Sequence, residues 1–237
     1  MRRIEGLSAA ELSRAASVFV KSERCWRDLA LAISSRARHR LMEFDPNSLA
    51  LTARAFAGSQ HDAPALLEAI GDAVVSPSTL CSLSDHNLAD LTWALAMTTR
   101  ASPAFLEEIA AETSRRLPAL DSYSLSNVAY AFCIADVLPV ASPLFDERFA
   151  RRCEELAYDF SVEDLSQLYQ WKLWYVGEKG CCEGLPTKGL LELCHAAFRA
   201  TDPTPSRTQS EVRAALADLG LRVEEEVRLR EGFMIDL

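Results

Sequence analysis

Leu88-Ala-Asp-Leu-Thr-Trp-Ala-Leu-Ala96 and, 37 residues further on, Leu125-Ser-Asn-Val-Ala-Tyr-Ala-Phe-Cys133 share one pattern. Apolar residues stand at positions 0, 3 and 7 counted from the first leucine, which places them on one face of a helix. Positions 4, 6 and 8 are small or nearly so (Thr92, Ala94, Ala96; Ala129, Ala131, Cys133). Small residues on both flanks of an apolar stripe let neighbouring helices approach from two sides. A helix sandwiched in a stack needs this, and a surface helix does not.

The same pattern recurs through the chain. Leucines anchor it at Leu12, Leu49, Leu88, Leu125 and Leu165, with spacings of 37, 39, 37 and 40. Four residues before each anchor stands Ser8, Asp45, Ser84, Asp121 or Ser161, a side chain able to accept from the free N–H groups that open a helix. Position 3 is Ala15, Thr52, Leu91, Val128 and Leu168, and position 7 is Phe19, Phe56, Leu95 and Phe132; the fifth copy departs there with Lys172.

A second helix follows in each copy. Ser102-Pro103 opens one over 104–117 and Ser142-Pro143 opens another over 144–160, each as an N-cap followed by proline at the first helical position. Residues 26–40 and 64–75 supply the equivalents in the first two copies. In the fifth, a loop with Gly177, Gly180, Gly184 and Gly189 precedes a helix over 190–200. The expected fold is all-α, an α-solenoid of about five helix-pair repeats spanning residues 1–200. A linker at 201–206 and a short, incomplete α/β segment at 207–237 complete the chain. In that segment Val212, Leu216 and Leu219 form the apolar side of a short helix ended by Gly220, and an alternating strand follows from Leu221 to Leu229.

Composition narrows the function. The 237 residues are 49% hydrophobic and 25% charged, enough for a sizeable core, and no stretch is long and apolar enough to span a bilayer, so no membrane partner is expected. Seven cysteines, odd in number and irregularly placed, fit a reducing compartment. The net charge of −9 argues against a nonspecific nucleic-acid coat. It is uneven: residues 1–40 hold nine Arg/Lys against four Asp/Glu, +5, which leaves −14 for the remainder. The four acids are wrong for a mitochondrial presequence, and the segment fits the repeat.

The two quoted helices resemble the LxxLAWAFA helix of the organellar helical-repeat RNA-binding proteins, the octotricopeptide and heptatricopeptide repeat families together with the FAST-kinase-like proteins. The resemblance covers about residues 5–200. The tail, from Gln209 through the Glu224-Glu-Glu226 run to Gly232-Phe-Met-Ile-Asp-Leu237, looks like the opening of a RAP domain, a small endonuclease-like module at the C-terminus of the same families. Its further strands and later acidic positions are missing, so the chain is expected to end inside the module. The resemblance implies a non-catalytic RNA-binding protein of the mitochondrion, or alternatively the plastid, acting in RNA processing, stability or ribosome assembly. Its partner would be single-stranded mRNA or rRNA of the organelle, with other proteins of a ribonucleoprotein particle. The acidic balance beyond residue 40 favours a second reading, a protein–protein scaffold.

Catalytic signals are weak. Asp236 would hold the first acidic position of a nuclease-like site, but no further carboxylates follow to hold a cation. Cys181, Cys182, Cys194 and His195 lack the spaced pairs of a zinc site and read as core or loop residues. No glycine loop with a following Lys-Ser/Thr is present. No enzyme activity, cofactor or metal is expected.

Two sets of residues are candidates for binding. On the first helices, position 2 is Arg14, Leu51, Asp90, Asn127 and Gln167, and position 5 is Ser17, Arg54, Trp93, Tyr130 and Gln170. These vary while the stripe stays constant. Arg14, Arg54, Asp90, Asn127, Gln167 and Gln170 can hydrogen-bond exposed base edges, and Trp93 and Tyr130 can stack on bases or pack against the next repeat. Arginines also cluster late in the second helices: Arg36, Arg38 and Arg40; Arg115 and Arg116; Arg148, Arg151 and Arg152; Arg199. They can complement the helix macrodipole or contact phosphates.

Overall fold

The protein's structure, a computed structural model, describes residues 6–20, 27–59, 63–141, 143–200, 207–221, 227–228 and 233–235. It is an all-α protein. The first helices of the five copies are α1 (Ala9–Ala15, widened into a π-turn over Ala16–Val20), α3 (Pro46–Ala57), α6 (Asp85–Met97), α8 (Ser122–Ala135) and α11 (Val162–Lys179). The second helices are α2 (Arg27–His39), α4 (Pro64–Val74) with the short α5 (Pro77–Ser82), α7 (Pro103–Arg116), α9 (Leu138–Ala141) with α10 (Glu147–Glu155), and α12 (Lys188–Ala200).

Every first helix starts where local chemistry says it should. Ser8, Asp45, Ser84, Asp121 and Ser161 each have extended backbone, and each side chain accepts from the N–H three residues on. Ser8 with Glu11 and Ser161 with Asp164 complete capping boxes. The residue before each cap is apolar (Leu7, Phe44, Leu83, Leu120, Phe160), and the anchor leucine is the fourth helical residue, the spacing of a hydrophobic staple. The anchors Leu12, Leu49, Leu88 and Leu125 are buried, as are Ala50, Ala53, Ala89, Thr92, Ala94, Ala129 and Ala131 beside them.

The first helices lie parallel, each against the next, and the bonds between them connect residues about one repeat apart. At their N-terminal ends, Ser13 Oγ donates to Ser48 O (3.0 Å), and Asn47 Oδ1 accepts from Ser84 N (3.0 Å) and Asn87 Nδ2 (2.7 Å). His86 Nε2 pairs with Asp121 Oδ2 (2.5 Å), and Ser126 Oγ donates to Asp164 Oδ1 (2.7 Å). At the C-terminal ends of α8 and α11, Trp174 Nε1 donates to Asp136 Oδ1 (2.8 Å). In the second layer α2 packs on α4, α4 on α7 and α7 on α9.

The fourth and fifth copies differ from expectation. The helix expected at 144–160 begins at Glu147 and is capped by Asp146, whose side chain accepts from Arg148 N and Phe149 N. Burial decides this. Leu144 and Phe145 turn inward, and Phe145 sits at the centre of an aromatic cluster with Phe132, Phe149, Trp171 and Tyr175 at centroid distances of 5.0–6.0 Å. In α11 the stripe rotates around Lys172, so that Trp171 and Tyr175 take the buried positions. The Tyr175 hydroxyl donates to Phe145 O (3.0 Å) and accepts from Lys179 Nζ (2.7 Å). Gly180 (φ +70°) ends α11, and Gly184 (φ +77°) fits where a Cβ would lie 3.0 Å from Phe145 O. α12 then packs along α11 as closely as the first helices pack on one another, with His195 stacked on Tyr169 (4.9 Å). A further helix, α13 (Arg207–Asp218), closes at Gly220 (φ +77°), where Leu221 N donates to Leu216 O (3.0 Å). Val212 and Leu219 are exposed. Val227–Arg228 and Met234–Ile235 form one two-residue antiparallel pairing. The rest of the expected strand, Glu224–Glu226 and Asp236, lies outside the described residues.

Candidate nucleic-acid interface

Positions 2 and 5 of the first helices point off the apolar stripe, and the structure brings several of them into one cluster. The Arg54 guanidinium carbon sits 3.7 Å from the centroid of the Trp93 ring. Arg54 Nε donates to Asp90 Oδ1 (3.1 Å), which also accepts from the Tyr123 hydroxyl (2.5 Å). Three successive first helices, α3, α6 and α8, are thereby joined by one chain of polar contacts. Burial and the bond to Asp90 push the Tyr123 hydroxyl up to about 12, so it stays protonated and keeps donating. The Arg54 and Asp90 side chains are 27% and 15% exposed, so the cluster lies at the surface without being fully solvated.

A second pair follows on α8 and α11. Gln167 Nε2 donates to Asn127 Oδ1 (3.3 Å), and Asn127 Nδ2 donates to Tyr123 O (3.0 Å). Asn127 is only 3% exposed, so its amide joins helices and presents no free edge. Tyr130, Gln167 and Gln170 are half-buried, with Gln170 Nε2 donating to Ser166 O (3.4 Å). Burial raises the Tyr130 hydroxyl above its ordinary value. Trp93 is half-buried and packed on the core edge. Arg14 is exposed on α1 and takes no part in the cluster around Trp93. Chemically, the face offers a guanidinium placed over an indole, a partly exposed phenol ring and the half-buried Gln170 amide.

Six of the nine late arginines of the second helices fall into two groups. Arg40 Nη1 donates to Leu7 O (2.5 Å), Arg116 Nη1 to Leu83 O (2.7 Å), and Arg152 Nε and Nη2 to Leu120 O (3.0 and 2.8 Å). In each case the acceptor is the residue just before the cap of the same copy's first helix. These three arginines fasten the hairpins of the first, third and fourth copies shut. Arg116 also bonds Leu80 O (2.9 Å), Asp85 (2.8 Å) and Glu112. Glu112, held by Arg115 and Arg116, is lowered from 4.5 to about 2 despite its burial. Arg115, Arg148 and Arg151, together with Arg152, line a cleft between α7 and α10.

Among the described residues no group of three or more His, Cys, Asp or Glu is placed to hold a metal. Cys153 and Cys194 are buried, and burial pushes the Cys194 thiol up to about 12. The six described cysteines are free. None of the described helices is long and apolar enough to cross a membrane.

Tyr123 and the hairpin-fastening arginines escape a reading of single helices. A signal was available: charge and amide partners recur one repeat apart, as in Arg54 with Asp90 and Asn127 with Gln167. Comparison with models of protein families gives no match, and comparison with curated proteins gives none either.

Proposed function

We propose that the chain is an α-solenoid that binds single-stranded RNA along the face of its first helices, without catalysis. The observation that carries this is the Arg54–Trp93 stack with Tyr130 one helix further on. A guanidinium held over an indole at this distance is fixed in position, and its outer side can accept a base by stacking while its remaining N–H groups reach a phosphate or a base edge. Asp90 and Asn127 act as positioning groups, each joined to a neighbouring helix. Arg14, Gln167 and Gln170 extend the same face toward either end of the row. The parallel, repeat-spaced first helices support an extended ligand, since successive positions 2 and 5 recur with each copy. The resemblance of the Leu88 and Leu125 helices to the organellar repeat families supports an RNA ligand and a mitochondrial or plastid setting. A C-terminal RAP-like module is part of the same reading.

The test is fluorescence anisotropy of a labelled single-stranded RNA at two salt concentrations. Binding that weakens with salt, with a slope of about −0.7 per phosphate contacted, is expected. Trp93→Ala should weaken it by about tenfold, the scale of one stacked base. Absence of binding at low salt would discard the RNA reading. The second reading, a protein–protein scaffold, is favoured by the net charge of −9. An acidic surface resists RNA and suits a basic protein partner.

A further inference from the structure

In the second-helix layer, the last turn of α7 and one side of α10 enclose a cleft of about 400 Å³ to which no first helix contributes. Arg115, Arg148, Arg151 and Arg152 line it, against a single lining carboxylate, Glu155. Four guanidiniums around one cleft stand out in a chain whose net charge is −9. Helical spacing explains the alignment: Arg148, Arg151, Arg152 and Glu155 are three, four and seven residues apart on α10 and share one stripe.

The four arginines are not equally committed. Arg152 is fully engaged, with Leu120 O and with Glu155 Oε2 (2.8 Å). Arg115 is engaged through Nε and Nη2 with Glu112 (2.9 and 2.5 Å). Arg148 gives Nε to Asp146 (2.8 Å) and Nη2 to Ser114 Oγ (3.1 Å). Arg151 makes no hydrogen bond or ion pair among the described residues. The acids hold the first three guanidiniums in place, while Arg151, the remaining N–H groups of Arg148 and the Ser114 hydroxyl are left to meet a ligand.

We infer that this cleft is a binding site for a phosphate group, received by Arg151 and Arg148 with Ser114 as a hydroxyl partner. Planar guanidinium forks match the paired oxygens of a phosphate, and charge-assisted bonds of this type are among the stronger polar contacts. Leu117 and Pro118 supply an apolar wall for the ester carbon of a phosphorylated molecule. The phosphate can come from a small phosphorylated compound or from a nucleic-acid backbone. The inference does not depend on RNA reaching the first-helix face.

The full chain is titrated with inorganic phosphate, replacing chloride at constant ionic strength, while backbone amide resonances are followed by NMR. Saturable shifts confined to residues 114–118 and 148–155 are expected. Arg151→Glu should weaken them by about tenfold or more, because the charge-assisted contact is replaced by repulsion. Lys188→Glu, the same charge change on an exposed side chain of α12, should leave them unaltered. A single-stranded oligoribonucleotide forms a second arm. Displacement of phosphate from these amides identifies a backbone source; undisturbed phosphate binding identifies a small phosphorylated ligand. Shifts that never saturate, or that survive in Arg151→Glu, overturn the inference. RNA that binds nowhere while phosphate still binds the cleft defeats the RNA reading alone.

Discussion

Arg116 and Arg151 carry the same charge in neighbouring second helices and do different work. Arg116, 10% exposed, ties Leu80 O, Leu83 O, Asp85 and Glu112 together, so truncating it removes a donor from two carbonyls and leaves the nearly buried Glu112 carboxylate held by Arg115 alone. Arg116→Ala is expected to destabilise the protein by about 3 kcal/mol in urea unfolding, against less than about 0.5 kcal/mol for Arg151→Ala. Glu112 adds a pH dependence. Its folded value lies below its ordinary 4.5, at about 2, so its contribution is present above pH 4.5 and is lost as pH falls toward 2. With the side chain 9% exposed, that contribution is on the order of 2 kcal/mol. Glu112→Gln should therefore lower stability at neutral pH and make the fall between pH 4.5 and 2 shallower; an unchanged acid limb would count against the pairing.

Among the elements, helix starts were the most legible features of the sequence, because a cap is a local bond between residues three apart. All five first-helix caps stand where Ser8, Asp45, Ser84, Asp121 and Ser161 placed them. Ser84→Ala should cost about 1 kcal/mol. Asp121→Ala should cost more, roughly 2 kcal/mol, since Asp121 also receives His86 from the preceding helix. Illegible features depended on distant residues. α10 starts at Glu147 and not after Ser142-Pro143, because Phe145 is drawn into contact with Trp171, 26 positions away in the chain. α5 went unread although Ser76-Pro77 carries the same cap-plus-proline signal as Ser102-Pro103. The glycine loop after α11 is a packing device. Gly184→Ala must bring a Cβ to 3.0 Å from Phe145 O at a positive φ, and should destabilise by about 2 kcal/mol. Gly180→Ala, at φ +70° with open space around it, should cost about 1 kcal/mol or less. Comparing the two by thermal unfolding separates strain from collision.

For the whole molecule, the repeat near 38 residues was legible as a period of leucines, and the structure translates that period into bonds. Arg54 reaches Asp90, Asn47 reaches Asn87, and Asn127 meets Gln167, at separations of 36, 40 and 40 residues. What the period alone did not disclose is that part of the variable face is engaged within the protein. Asn127 is buried, Asp90 is shared between Arg54 and Tyr123, and the Gln167 amide is turned toward Asn127, so Arg54, Trp93, Tyr130 and Gln170 carry the outward chemistry. That RNA lies across the first helices is the proposal on which the rest depends. Ultraviolet cross-linking of the full chain to single-stranded RNA, with the cross-linked peptides mapped by mass spectrometry, tests it most directly. The account predicts cross-links within residues 46–57, 85–97 and 122–135, centred on Trp93 and Tyr130. Cross-links absent from these helices, while RNA is bound elsewhere on the protein, would contradict it.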